Sequence, residues 1–141
     1  MDNENRIRLS DYQALADFRY QIRRFLRFSE QTARSTGLEP QQYQLLLAVK
    51  GIPDGKRATI GELAERLQLL HHSTVELIDR LTERGFVERR RDEEDQRRVL
   101  LHITSTGEEI LQRLAEASLV ELRSTGPMLV QALNAIIEEV P

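Results

Sequence analysis

The sequence predicts a mainly α fold carrying a small antiparallel wing of two to three strands. Three observations lead there. Apolar residues recur at three- and four-residue steps along most of the chain, the signature of amphipathic helices. After Gly85 the period falls to two, with Val99, Leu101 and Ile103 alternating as in a half-buried strand. Glycine and proline punctuate the chain at Gly37, Pro40, Gly51–Gly55, Gly85 and Gly126-Pro127, so each periodic run has an end. Short helix, tight turn, longer helix and hairpin follow one another between residues 59 and 104. That order is a winged helix-turn-helix flanked by long terminal helices suited to dimerisation. The expected division is a helical dimerisation region at 1–38 and 105–141 around a lobe at 39–104.

Residues 9–36 form the first expected helix. Tyr12, Leu15, Phe18, Ile22, Phe25 and Leu26 lie at helical spacing, and Arg19, Arg23, Arg24 and Arg27 cover much of the remainder. Gly37 ends it. Glu39-Pro40 opens the next helix, because proline suits a first helical position. Tyr43, Leu46, Leu47 and Lys50 are expected along one side of that helix. Gln41 and Gln42 near its start serve either as caps or as phosphate contacts. Gly51-Ile52-Pro53-Asp54-Gly55 is a loop by its turn chemistry.

Thr59-Ile60-Gly61-Glu62 has the form of a capping box. Ile60, Leu63, Ala64 and Leu67 then give one apolar stripe, and the turn falls at Gln68–Leu70. In the second helix Val75, Ile78 and Leu81, joined by Leu77, face inward, and Gly85 stops the run in the left-handed conformation. Leu70 leaves this helix without an N-cap side chain. Phe86–Arg89 and Val99–Ile103 are the expected strands, with the charged run Arg90 to Arg98 between them. Thr104 caps a helix from about Ser105 to Ser124. Gly126-Pro127 is expected to break the chain before a last helix, in which Leu129, Leu133, Ile136, Ile137 and Val140 share a stripe.

In a helix-turn-helix the first turns of the second helix meet base edges. Here those turns carry His71, His72, Ser73, Thr74 and Glu76, with Arg80 further along within reach of a phosphate. In the hairpin, Arg90, Arg91, Arg97 and Arg98 flank four carboxylates. Such a ribbon can straddle a backbone and place one arginine in the minor groove, where the potential is most negative. Asp95, two residues before Arg97, can hold that guanidinium through a charge-assisted pair. The competing reading of both segments is a solvated polar surface with no partner. His71 and His72 point about 100° apart on a helix, so the pair is a poor metal site.

The chain has 141 residues, 40% of them apolar, enough for a core. It lacks cysteine, which removes disulfides, Cys-ligated zinc and thiol-based oxidation sensing. The net charge is −3, but unevenly spread. Residues 1–38 carry 7 basic against 5 acidic side chains, 56–98 carry 10 of each, and 99–141 carry 2 against 6. The surface near the proposed groove reader is therefore not acidic, and affinity for a polyanion should be moderate and strongly salt-dependent. No apolar run approaches the roughly 20 residues that span a bilayer. Met1 to Arg6 lacks the apolar core of a signal peptide, so a cytoplasmic location is expected and no membrane partner. Three histidines, no cysteine, no glycine-rich phosphate loop and no recognisable carboxylate pair give no basis for enzyme activity or for a cofactor.

Several short runs together resemble the winged helix-turn-helix core of the MarR family of bacterial transcription regulators. They are Asp79-Arg80-Leu81 through Gly85, Val87 and Arg89; the wing's Asp95-Gln96-Arg97; and Thr104-Ser105-Thr106-Gly107. The sequence departs from that family's pattern at Leu70, where a polar or basic residue is usual, and in its four wing carboxylates. The resemblance implies a homodimer interleaved through the first and last helices, which puts Leu15, Phe18, Ile22, Leu129, Leu133, Ile136 and Val140 in the interface. It implies a pseudo-palindromic double-stranded DNA site, repression, and release by a small aromatic ligand lodged between the dimer helices and the reading lobe. Tyr12, Tyr20, Tyr43 and Arg19 are conceivable pocket members, with core packing or exposure as their alternative. A monomer with its terminal helices folded back, and a winged-helix module that binds protein rather than DNA, are the alternatives to that picture.

Overall fold

Local closing chemistry sets most of the element boundaries. The computed structural model describes residues 6–138, so Val140 lies outside the described residues. Helix α1 runs Leu9–Ser35, α2 Pro40–Lys50, α3 Ile60–Leu67 and α4 His71–Glu83. Strands β1 (Val87–Arg91) and β2 (Val99–Ile103) follow, and α5 spans Ser105–Ile137.

Helices α1, α3 and α4 end the same way. The amide of the residue past the helix bonds back five residues: Leu38 to Ala33 at 3.1 Å, Leu69 to Ala64 at 3.0 Å, and Phe86 to Leu81 at 3.0 Å. This closure needs a left-handed residue just past the helix. Gly37 and Gly85 supply it with φ of 86° and 78°, whereas α3 uses Gln68 at φ 53°. A residue with a Cβ is strained there, and the Gln68 amide group offsets part of that by donating to the Glu65 carbonyl at 2.7 Å. The turn between α3 and α4 is thereby fixed without a glycine.

The chain divides into two units, one drawn from Met1–Gln31 and Ala117–Pro141, the other Thr32–Glu116. The lobe is thus larger than the expected 39–104, because Ala33 and Leu38 on one side and Leu111 and Leu114 on the other belong to its core. Leu45, Leu46, Leu63, Ile78, Leu81 and Leu101 fill the middle of that core. Each such leucine or isoleucine contributes about 1.5–3 kcal/mol by leaving water. The inner face of α2 differs from expectation: Leu45 and Val49 are buried with Tyr43 and Leu46, while Leu47 is exposed. Strand β1 pairs antiparallel with β2, Val87 opposite Ile103 and Arg91 opposite Val99. An isolated bridge from Thr59 to Leu100 adds a third, minimal strand.

The Thr104–Gly107 run docks α5 onto this lobe. The Thr104 hydroxyl donates to the Gly85 carbonyl at 2.6 Å and accepts from the Gly107 amide at 3.1 Å. A Cβ on Gly107 would stand 2.2 Å from the Phe86 carbonyl oxygen, so only glycine lets the backbones approach this closely. Helix α5 then continues unbroken through Pro127, and the expected break at Gly126-Pro127 does not occur. Proline disfavours a helical predecessor by clashing with its N–H and its Cβ, and Gly126 lacks the second. Among the described residues, no helix is long and apolar enough to cross a membrane.

Candidate nucleic-acid interface

Helix α4 presents two faces. Thr74, Leu77, Ile78 and Leu81, at helical spacing, are buried against the lobe. His71, His72, Glu76, Asp79 and Arg80 are exposed, and Ser73 is half-buried. Thr74 is therefore not a groove contact. It is 0% exposed, and its hydroxyl donates to the Leu70 carbonyl at 3.0 Å, so the stripe that starts the buried face begins with a satisfied polar residue. Leu70 caps the helix with its backbone only, as its side chain dictates. At the other end of the helix, Arg84 donates to the Gly37 carbonyl at 2.9 Å and to Gln42 at 3.0 Å and lies over the Phe86 ring. Gln42 is buried and accepts from the Glu39 amide at 3.0 Å, which settles it as a cap for α2 rather than a phosphate contact.

The wing is shorter and more ordered than a charged hairpin tip requires. Arg90 and Arg91 sit within β1, opposite Leu100 and Val99, and the tip is only Asp92 to Arg98. Its neck closes through the Asp92 amide to the Arg98 carbonyl at 3.0 Å. Asp92 is 1% exposed. Its carboxylate accepts from the Glu94 amide at 3.0 Å and pairs with Arg57 at 3.5 Å and Arg98 at 3.7 Å. Burying a carboxylate is costly without such partners. Asp92 is thus the wing's anchor, a role its place in a charge run concealed. Arg57, from the loop before α3, also donates to Glu94 at 2.7 Å and ties that loop to the tip.

The arginines divide by engagement. Arg89 pairs with Asp79, joining β1 to the exposed face of α4; these are the first and last charged residues of the Asp79–Arg89 run. Arg90 pairs with Glu88, and Arg91 donates to the Gln96 carbonyl at 3.0 Å. Arg98 is shared between Asp92 and Asp95. Arg97 differs: its Nε donates to Asp95 at 3.2 Å, yet its side chain is 93% exposed. Asp95 also accepts from the Arg97 amide at 3.1 Å, so one carboxylate fixes both backbone and guanidinium. Two of the four wing carboxylates, Asp92 and Asp95, therefore turn inward, and only Glu93 and Glu94 give the tip an acidic outer surface. Among the described residues, no group of three or more acidic, histidine or cysteine side chains is arranged to hold a metal ion.

The conceivable partners of a small molecule lie in different surroundings. Tyr43 is buried in the lobe core, Tyr12 and Tyr20 are exposed, and Tyr20 lies under Arg24 at 5.6 Å. In the terminal unit, Leu15 and Leu133 are exposed and Phe18, Ile22, Leu129 and Ile136 half-buried. Apart from Leu47 and Leu70, every exposed large apolar side chain among the described residues lies in that unit.

Residues 36–98 match the model of the MarR family. The chain is 41% identical over 56 residues to an uncharacterised HTH-type transcriptional regulator, YsmB, of Bacillus subtilis (strain 168). That match covers 40% of this chain and 38% of the relative, well under half of either. Among solved structures it is similar to AbsC, a MarR family transcriptional regulator from Streptomyces coelicolor, with a TM-score of 0.72 at 19% identity over 86% of this chain and 81% of that one. It is also similar to a mutant MarR from E. coli complexed with operator DNA, with a TM-score of 0.65 at 20% identity over 87% and 90%. The capped α3–α4 turn and the wing anchored at Asp92 fall within the matched segment, and the lobe is a winged helix-turn-helix whose residues 36–98 are similar to the MarR family.

Proposed function

We propose that this protein is a sequence-specific double-stranded DNA-binding transcription regulator that acts as a homodimeric repressor in the cytoplasm, without enzyme activity. The observation that carries the reading is Arg97, a guanidinium posed by Asp95 and otherwise open to solvent. Holding an exposed arginine in one pose costs side-chain entropy that a solvated wing has no reason to spend, and a posed guanidinium suits a narrow minor groove. The exposed His71, His72, Glu76 and Arg80 supply the base-edge and phosphate groups of the second probe. Arg90, Arg91 and Arg98, already engaged within the wing, act as a basic surround rather than as direct readers.

The exposed and half-buried apolar side chains of the terminal unit support a homodimer through Leu15, Phe18, Ile22, Leu129, Leu133 and Ile136, because exposed apolar side chains gathered in one unit are suited to an interface. Val140 belongs to the same proposed stripe by sequence. Two copies would set their α4 helices in successive major grooves of a pseudo-palindrome, roughly 34–36 Å apart. A small-molecule ligand would act by favouring a dimer geometry that cannot reach both grooves, to the extent of its differential affinity.

Selection of duplexes from a random pool, followed by titration of the enriched sequence at two salt concentrations, tests the proposal. The expected result is a recurrent inverted repeat bound at low salt and weakened by one to several powers of ten as salt rises fourfold, an order set by the number of phosphates contacted. No duplex retention even at low salt would remove the DNA reading and leave a protein-binding winged helix in its place.

A further inference from the structure

Leucine is out of place at the start of α4. Leu70 is the N-cap residue of that helix, with the extended backbone (φ −67°, ψ 153°) that Ser, Thr, Asp and Asn favour there. A side chain of that kind would accept from the first free amides of the helix, and Leu70 makes no such bond. Packing does not account for it either, because Leu70 is 68% exposed. The only other exposed large apolar side chain of the lobe is Leu47, at 41%. Yet the backbone that carries Leu70 is fixed on both sides. Before it, the Leu69 amide bonds back to the Ala64 carbonyl at 3.0 Å and Gln68 takes the left-handed turn. After it, the Leu70 carbonyl accepts from both the amide and the hydroxyl of Thr74, each at 3.0 Å. Thr74 is fully buried, so Leu70 is tied to the core while its side chain stands in the open.

We infer that Leu70 is a specificity-determining residue that packs against the C5-methyl group of a thymine in the major groove. It directly precedes the exposed His71 and His72, in the part of α4 proposed above to meet base edges. The thymine methyl is the one apolar group that an unmodified base pair presents in that groove. Cytosine presents an amino donor there, and adenine and guanine present N7, so a leucine favours thymine by apolar contact alone. The missing cap follows from this role. A Ser or Asn at the same position would turn its oxygen back to the helix amides rather than toward a base. The inference deepens the DNA-binding proposal and rests on it.

The duplex selected from the random pool, remade with each thymine in turn replaced by deoxyuridine, tests the contact. The exchange removes one methyl and leaves every hydrogen-bonding group of the base pair. Titrated with the full chain, one such exchange in a half-site should weaken binding about fourfold, the worth of one buried methyl group. Leu70→Ala should bind that exchanged duplex and its parent equally. Alanine cannot cap the helix either, so the start of α4 should be unchanged and the circular dichroism that of wild type. Leu70→Asn should raise the thermal midpoint by supplying the missing cap, and should also lose the thymine preference. Wild-type protein that binds every exchanged duplex as tightly as the parent would overturn the inference. So would a Leu70→Ala or Leu70→Asn protein that keeps the full preference at each position. A loss of stability in Leu70→Asn would overturn the premise that packing does not hold the leucine there. A chain that retains no duplex at all loses the DNA reading, and the contact with it. A chain that retains duplex and ignores the exchange loses the contact alone.

Discussion

The two units of this chain are built from similar helices but solve the burial problem differently. The lobe covers its own apolar side chains: Leu45, Leu46, Leu63, Ile78 and Leu81 are enclosed by α2, α3, α4 and the wing. The terminal unit leaves Tyr12, Leu15, Leu26, Val130 and Leu133 in the open. The difference teaches that a helical stripe in a sequence reports a need for cover and not the source of it. In the lobe the cover is the same chain, supplied by short connections with strong closing chemistry. In the terminal unit, two long helices have too few neighbours to do the same.

The comparison breaks most visibly at the terminal unit. Leu15→Glu combined with Leu133→Glu places carboxylates on surface that a second copy would bury without partners, at a cost of several kcal/mol per charge. Sedimentation velocity should show a wild-type mass of two chains falling to one, with circular dichroism of the lobe preserved. An unchanged mass would mean that the exposed stripe is not where copies meet.

Gly107→Ala should then strike the lobe rather than the assembly. The new methyl meets the Phe86 carbonyl and the Ile103 side chain, and overpacking of this kind costs about 1–3 kcal/mol. Thermal or urea unfolding should report that loss, and full wild-type stability would remove the close approach from the account of the Thr104–Gly107 run. A smaller effect of opposite sign is expected at the turn. Gln68→Gly releases a side chain from a left-handed conformation, a relief of about 1 kcal/mol less whatever its contact with the Glu65 carbonyl contributes. A loss of stability would show that this contact outweighs the backbone strain.

Much of this fold was legible because its signals are local. Thr59 and Thr104 as caps, Pro40 at a helix start, and Gly37 and Gly85 just past helix ends each act within a few residues. The pairing of Asp95 with Arg97 was legible for the same reason. What escaped was non-local or hidden by residue type. Thr74 occupies a core position at the spacing of Leu77, Ile78 and Leu81, but a hydroxyl near a helix start resembles a groove contact. Asp92 sits in a run of charges that resembles solvated surface, and its burial depends on Arg57, thirty-five residues earlier. The unbroken α5 depends on Gly126 tolerating Pro127, an exception to the strongest helix-breaking signal in the chain. The Asp79–Arg89 pair could have been found from a carboxylate and a guanidinium at the two ends of one recognised run.

The most direct measurement is a titration of the selected duplex with wild-type protein and with Arg97→Ala, at one salt concentration and with the fold of the variant checked by circular dichroism. Among the described residues, the hydrogen bonds and ion pair of Arg97 lie within its own turn, so the substitution should leave the lobe intact. The account predicts a loss of about tenfold or more in affinity, the order expected for one arginine contact in a groove. Equal affinity of the two proteins for that duplex would contradict it.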